Sequence, residues 1–222
     1  KFPVAHTWVN PLEQGFDANV AKFPFDPNRA KSLLEQAGYK PGPGVIRVNA
    51  TRQNIKIKYI TTAGNKLREL IQQVLQNQWK QIGVEVVIKN VPARTFFGET
   101  LKKPQFTGLV QFASSTTPEN PPVITLSTDG IPTAANNYGG QNYSHFSNPT
   151  MDRLINELLA EMDPAKRKLL WTQMQTVFTD ELPELPLFFR TDVWLVPKWM
   201  TGVLRPGQLP ASTYTAETWG AR

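Results

Sequence analysis

Cysteine is absent from the 222 residues, which excludes thiolate metal sites, a cysteine nucleophile and disulfides. The absence suits reducing and oxidising compartments equally. Histidine occurs twice, as His6 and His145, with no carboxylate at ligand spacing, so neither a metal nor a catalytic role is expected of them. No window approaches the ~18 consecutive apolar residues of a membrane span. A Gly-rich phosphate loop, a nucleophile elbow and a paired-carboxylate motif are all missing. Asp152, Glu157 and Glu161 fall on a polar helix face and are expected to be solvated. The sequence offers no enzyme, no metal site and no cofactor. Its opening, KFPVAHTWVNPLEQGF, carries no charged-then-apolar leader and reads as the middle of a processed or excised polypeptide.

What is present begins with proline. Nineteen prolines exceed the usual ~5%, and with six tryptophans they suggest long ordered connections rather than a helical bundle. A hydrophobic content of 40% supports a sizeable core in one large domain or two small ones. The net charge of +6 comes from scattered Lys and Arg, not interleaved with aromatics in one patch. That argues against a nucleic-acid partner.

The stretch FTGLVQFASSTTPENPP, residues 106–122, is the candidate working end. Phe106, Leu109, Val110 and Phe112 predict a strand, and Ser114, Ser115, Thr116, Thr117, Pro118, Glu119 and Asn120 predict a stiff polar loop at its carboxyl end. In open α/β sheets ligands bind at that edge. An ordinary surface loop explains the same pattern.

Around it the chain predicts an α/β fold, a mixed sheet with flanking helices. Residues 1–25 are irregular, with Phe2, Trp8, Phe16, Phe23 and Phe25 pinning the segment to a core. Asp26-Pro27 starts a helix with Ala30, Leu33, Leu34 and Ala37 as its buried stripe and Gly38 as its stop. Lys40 to Gly44 is a turn, and Val45 to Val48 and Ile55 to Ile60 are strands. An amphipathic helix carries Leu67, Leu70, Ile71, Val74, Leu75 and Trp79, Gly83 ends it, and Val84 to Ile88 is a strand. Strand, helix and strand make a parallel unit. A short helix around Ala93 to Leu101 leads to the strand at Phe106. The loops at 61–65, 90–94 and 113–122 should therefore leave one edge of the sheet. Residues 123–147 read as a long loop with aromatics Tyr138, Tyr143 and Phe146, a length associated with binding or covering. Asn142-Tyr143-Ser144 is a glycosylation sequon, of consequence in a eukaryotic secreted protein. Asn148-Pro149 caps a helix with Met151, Leu154, Ile155, Leu158, Leu159 and Met162 inward. Asp163-Pro164 opens another through Leu182, with Leu169, Leu170, Met174, Val177 and Phe178 on one face, and the pair should cover the sheet. Pro183 to Phe189 and Val193 to Val196 are strand-like, and the tail from Pro197 has no core of its own.

Several of these pieces together resemble one family. FDPNRAKSLLEQAGY (25–39) closely resembles the aspartate-proline helix of the extracellular solute-binding proteins of the peptide/nickel class, family 5, the binding components of ABC importers. The similarity continues through QIGVEVVIKNV (81–91), the strand at 106–112, YSHFSNPTMDRLI (143–155), LPELPLFF (182–189) and the closing Gly202, Pro206 and Trp219. The resemblance implies one lobe of a type II periplasmic-binding-protein-like fold that closes on its ligand by hinge motion. Residues 1–190 would be the C-terminal lobe, and 191–222 a tail returning to an N-terminal lobe that is absent here. It also implies a monomeric receptor, periplasmic or extracellular, free or lipid-anchored at the outer face of the cytoplasmic membrane, that serves a membrane permease. Oligopeptide binders of the family run from this strand into Gly-Trp and then an acid that pairs with the peptide amine. Those places fall near Ala113, Ser114 and Thr117, so the Trp and the acid are absent unless Glu119 substitutes after a small shift. A Ser/Thr/Asn loop suits amide- or hydroxyl-rich ligands, including oligosaccharides, or peptide backbone read through water.

The expected ligand site is thus Phe112, Ser114, Ser115, Thr116, Thr117, Glu119 and Asn120, with Tyr138 and Tyr143 as walls and Arg94 as an anion anchor. The expected ligand is a peptide or similarly sized solute. A protein-interaction or chaperone-like module on the same scaffold, binding an extended polypeptide, is the alternative.

Overall fold

Asp26 accepts the backbone N–H groups of Asn28 and Arg29, and Pro27 follows it, so helix α1 spans Pro27–Gln36 for the reason the Asp-Pro pair predicts. The same device recurs twice. Asn148 caps α5, Pro149–Ala160, and Asp163 caps α6, Pro164–Glu181. The computed structural model describes residues 2–102, 107–114, 119–191, 195–203 and 216–222. They fall into two compact units, one from residues 24–113 and 132–139, the other from 1–23, 114–131 and 140–222.

The first unit holds a three-stranded parallel sheet. Strands β3 (Lys56–Thr61), β4 (Glu85–Ile88) and β5 (Leu109–Gln111) lie in the order β4-β3-β5. Helix α2, Lys66–Gln81, joins β3 to β4, which is the expected strand–helix–strand unit. Gly83, at φ +89, closes α2: its N–H donates to Lys80 O at 3.0 Å and that of Val84 to Trp79 O at 2.9 Å. This left-handed closure is one that glycine adopts without strain. Ahead of the sheet, β1 (Lys40–Pro41) pairs antiparallel with β2 (Arg47–Val48), so the turn expected at Lys40 contributes a strand and the strand expected from Val45 is shorter. After β4, α3 (Ala93–Thr95) runs into a π-helical turn, Phe96–Thr100. Phe106 lies outside the described residues.

Tyr59, Val84 and Val86 are the buried centre of this unit, packed by Leu34, Ile57, Leu75 and Trp79. Two expected apolar stripes are only partly buried in it. Leu33 of α1 is 52% exposed and Leu70 of α2 57%, and Leu67 and Val74 are exposed as well. Alongside Leu75 and Trp79, polar residues of α2 meet the sheet. Gln72 donates to Tyr59 O, Gln76 to Val86 O and Arg68 to Thr62 Oγ1. Carbonyls of β3 and β4 and a hydroxyl just past β3 take donors from a helix rotated to supply them.

The second unit is built on α5 and α6. Met151, Leu154, Ile155 and Leu158 of α5 meet Trp171, Met174 and Phe178 of α6, with Val9 and Leu126. The expected inward residues Leu159, Met162 and Leu169 are exposed, Met162 at 85%. The hairpin belongs to this unit, apart from the one that holds the sheet. Its turn is tied by Arg167, in the basic run Lys166–Lys168, which donates to Leu158 O and Glu161 O. Trp8 and Phe16 pack against this core and Phe2 stacks on Phe188 at 4.9 Å, whereas Phe23 and Phe25 are exposed. The expected strand near Leu187 is reduced to a single antiparallel bridge, Val4 to Phe188. Val193 lies outside the described residues.

The segment read as a long loop contains α4, Val123–Leu126, and a 3₁₀ turn, Thr128–Gly130. Asn142 organises it from a fully buried position. Its Nδ2 donates to Ser127 O and Phe146 O, and its Oδ1 accepts from Phe146 N and Ser144 Oγ. A residue so enclosed is not a glycosylation acceptor. Asp152 is likewise not merely solvated, since it accepts from both N and Oγ1 of Thr128. Near the C-terminus β6 (Met200–Thr201) pairs with β7 (Gly220–Ala221).

Candidate functional site

The carboxyl ends of β3, β4 and β5 lie on one edge because all three strands are parallel. The turn from Thr62 to Asn65, the segment from Lys89 to Pro92 and the start of the loop after Gln111 therefore leave together. The registers align Thr61 with Gln111. They also run from Tyr59–Ile88 to the bridge Thr62–Val91, which puts Asn90 level with Thr61. Asn90, Thr61 and Gln111 thus form one row across the edge.

Hydrogen bonds knit that row. Asn90 Oδ1 accepts from Thr61 N at 3.2 Å and from Gln72 Nε2 at 2.9 Å. Thr61 Oγ1 donates to Gln111 O at 2.7 Å. Gln111 Oε1 accepts from the Tyr59 hydroxyl at 3.0 Å. Burial pushes the Tyr59 phenol up to about 12, so it remains a donor at any physiological pH. Gln72 is fully buried, and its Oε1 has no partner among the described residues.

The charged groups of the first turn of α2 are engaged locally. Arg68 Nη1 donates to Thr62 Oγ1 at 2.8 Å. Glu69 accepts from Gly64 N at 2.8 Å and meets Lys66 Nζ at 3.3 Å. The Gly64 bond first, and Lys66 second, hold the Glu69 carboxyl below its usual value. Among the described residues no three His, Cys, Asp or Glu side chains are placed to hold a metal.

The expected site residues are distributed over both units. Phe112, Arg94 and Tyr138 belong to the sheet unit; Ser114, Glu119, Asn120 and Tyr143 belong to the other. Ser115, Thr116 and Thr117 lie outside the described residues. Phe112 is half-buried in an aromatic cluster, with its ring 6.2 Å from those of both Phe96 and Phe97. Arg94 is exposed on α3, and Ser114 and Asn120 are exposed. Tyr138 sits at φ 54 in a turn closed by its N–H to Thr133 O. Partial burial raises the Tyr143 phenol. Glu119 lies 3.9 Å from Arg167, and its N–H donates to Glu13 Oε2, so its charge already has a cation beside it.

His6 lines a pocket of about 110 Å³ in the helical unit, with Val4, Phe16, Asp17 and Phe189. Drug-sized ligands take ~300 Å³ or more. The residues of the edge row, Asn90 and Gln111, were not among the expected ones. The available signal was a polar residue at the carboxyl end of each apolar strand.

The family model for bacterial extracellular solute-binding proteins, family 5 (middle region), matches residues 2–137. The oligopeptide-binding protein OppA of Bacillus subtilis is 26% identical over 202 residues, covering 90% of this chain and 34% of the relative. The nickel-binding periplasmic protein of Escherichia coli is 25% identical, covering 84% of this chain and 34% of its own length. Among solved structures, the oligopeptide-binding protein of Thermus thermophilus complexed with a pentapeptide superimposes with a TM-score of 0.83. It is 31% identical and covers 98% of this chain and 37% of that one. The chain spans about a third of the length of these proteins. With its model matched over more than half the residues, the chain belongs to the bacterial extracellular solute-binding proteins of family 5.

Proposed function

We propose that this chain is the C-terminal ligand-binding lobe of a solute receptor for an ABC importer. It captures a peptide or similarly sized solute in a cleft against a second lobe, outside the cytoplasmic membrane, and hands it to a permease without chemistry. The observation that carries the reading is the parallel sheet edge, where three loop starts and a polar row meet. Ligand binding at that edge is the general rule for open α/β sheets. The names of the relatives, oligopeptide- and nickel-binding, support a transported solute and leave its class to experiment. Residues 1–190 act as the lobe and 191–222 return to its partner. Ser114, Ser115, Thr116, Thr117 and Asn120 give the cleft a hydroxyl and amide loop; Phe112, Tyr138 and Tyr143 line it, and Arg94 steers anions. Glu119, beside Arg167, is poorly placed to pair with a peptide amine, which favours ligands held by backbone or hydroxyl groups.

The test is thermal unfolding of the two-lobed receptor against peptides, oligosaccharides and nickel chelates. A ligand that binds only the folded state at ~100 times its dissociation constant adds about 2.7 kcal/mol. A shift with one class names the substrate. No shift with any class, together with a co-purifying extended polypeptide, would replace transport by the interaction module.

A further inference from the structure

An amide side chain carries an oxygen that accepts and an NH2 that only donates. In Asn90 the oxygen is committed twice, to Thr61 N and Gln72 Nε2. In Gln111 it is committed to the Tyr59 hydroxyl. Thr61, Gln72 and Tyr59 are all buried, so both oxygens face the protein and both NH2 groups diverge from it. Neither NH2 has a partner among the described residues, and neither is among the buried atoms that lack one, so water reaches both. Gln111 ends β5 and Asn90 follows β4, on either side of β3, about 10 Å apart at two strand spacings. The Thr61 hydroxyl between them is already used. Arg68 and Glu69, in the first turn of α2, are engaged with Thr62, Gly64 and Lys66. What the row offers a ligand is therefore a pair of fixed, uncharged donors.

We propose that Asn90 and Gln111 determine the specificity of this edge, their NH2 groups donating together to neutral acceptor oxygens of the bound solute. Peptide carbonyls and sugar oxygens both supply that chemistry. The inference rests on the receptor reading above and names the ligand chemistry for it. Asn90→Asp or Gln111→Glu keeps the inward oxygen and its bonds and turns the outward donor into an acceptor, so the two variants separate binding from support of the fold.

The experiment is isothermal titration of the two-lobed receptor and its Asn90→Asp and Gln111→Glu variants with two probes. One is an N-acetylated, C-amidated oligopeptide and the other a neutral oligosaccharide; whichever binds identifies the source of the acceptors. Each variant should weaken that ligand roughly tenfold or more, while the ligand-free unfolding midpoint stays within a few degrees. Side-chain NH2 resonances of the unmodified receptor provide a readout that needs no variant: those of Asn90 and Gln111 should shift on adding the ligand. Binding by the receptor with unchanged affinity in both variants, or with both NH2 resonances unmoved, overturns the assignment and leaves the receptor reading intact. A receptor that binds only carboxylate-bearing ligands or metal chelates, unaffected by either substitution, overturns it as well. No binding of any solute removes both.

Discussion

Asn142 holds its segment with four hydrogen bonds from a fully buried position. Asn142→Ala would strand the carbonyls of Ser127 and Phe146, and each buried orphan costs about 1–3 kcal/mol. The substitution should lower stability by more than about 2 kcal/mol in denaturant unfolding; a loss under half that would mean water replaces the amide. Arg47 is the second such residue. Its guanidinium reaches Ile82 O past the end of α2, Tyr39 O past the end of α1, and Glu35 at 3.0 Å, a cation where helix dipoles favour one. Neither residue was legible as structural, because Asn142 sits in a sequon and Arg47 in an apolar strand pattern. Nothing local announces which distant carbonyls a side chain will meet. Tyr59 adds a pH effect with a defined sign. Its folded value is raised from 10.0 to about 12 by burial, so the unfolded chain releases the proton first as pH rises. Stability from this group is complete below pH ~10 and lost between there and ~12. Tyr59→Phe should flatten the alkaline fall of the unfolding free energy, and an unchanged slope would show that other groups carry it.

The elements themselves were largely readable, since their ends are fixed by local chemistry. Asp26, Asn65, Asn148 and Asp163 each cap a helix with their own side chain, and Gly83 ends α2 where the sequence placed the stop. Rotation about a helix axis is a different matter. Leu67, Leu70 and Val74 recur at helical spacing, but so do Arg68, Gln72 and Gln76, and the period alone cannot say which stripe meets the sheet. The polar stripe is the one that donates to Tyr59 O, Val86 O and the Thr62 hydroxyl. The candidate edge was legible as a place, through strands that end in polar loops, while Asn90 and Gln111 gained meaning only from the register. That register depends on Gly108, at φ +110, where a Cβ would lie 2.2 Å from Lys58 O. Gly108→Ala should cost about 2 kcal/mol or more and weaken the pairing of β5 with β3. Gly98→Ala is its control, because nothing lies within 4 Å of a Cβ there. Equal midpoints for the two variants would show that the β5 approach is not tight.

At the scale of the whole molecule the chain carries two separate cores. One is Tyr59, Val84 and Val86 around the sheet; the other joins Val9 and Leu126 to the buried faces of α5 and α6. Sequence patterning suggested one lobe with a helical hairpin laid over the sheet, since apolar helix faces and apolar strands are interchangeable partners in a one-dimensional reading. Contacts place the hairpin in a unit with a core of its own, threaded through three stretches of chain. Local opening tends to follow such cooperative units, so the two cores should answer differently to a lesion in one. In the Gly108→Ala variant, amide hydrogen exchange should accelerate over residues 56–61, 85–88 and 109–111. The amides of 151–158 and 171–178 should keep their protection, because their core is built from α5, α6, Val9 and Leu126. A parallel loss across both sets would mean that the units unfold as one body. The sheet edge would then owe its geometry to the helical core as well, and substitutions there, at Trp171 or Phe178, should weaken ligand binding as strongly as those in the sheet.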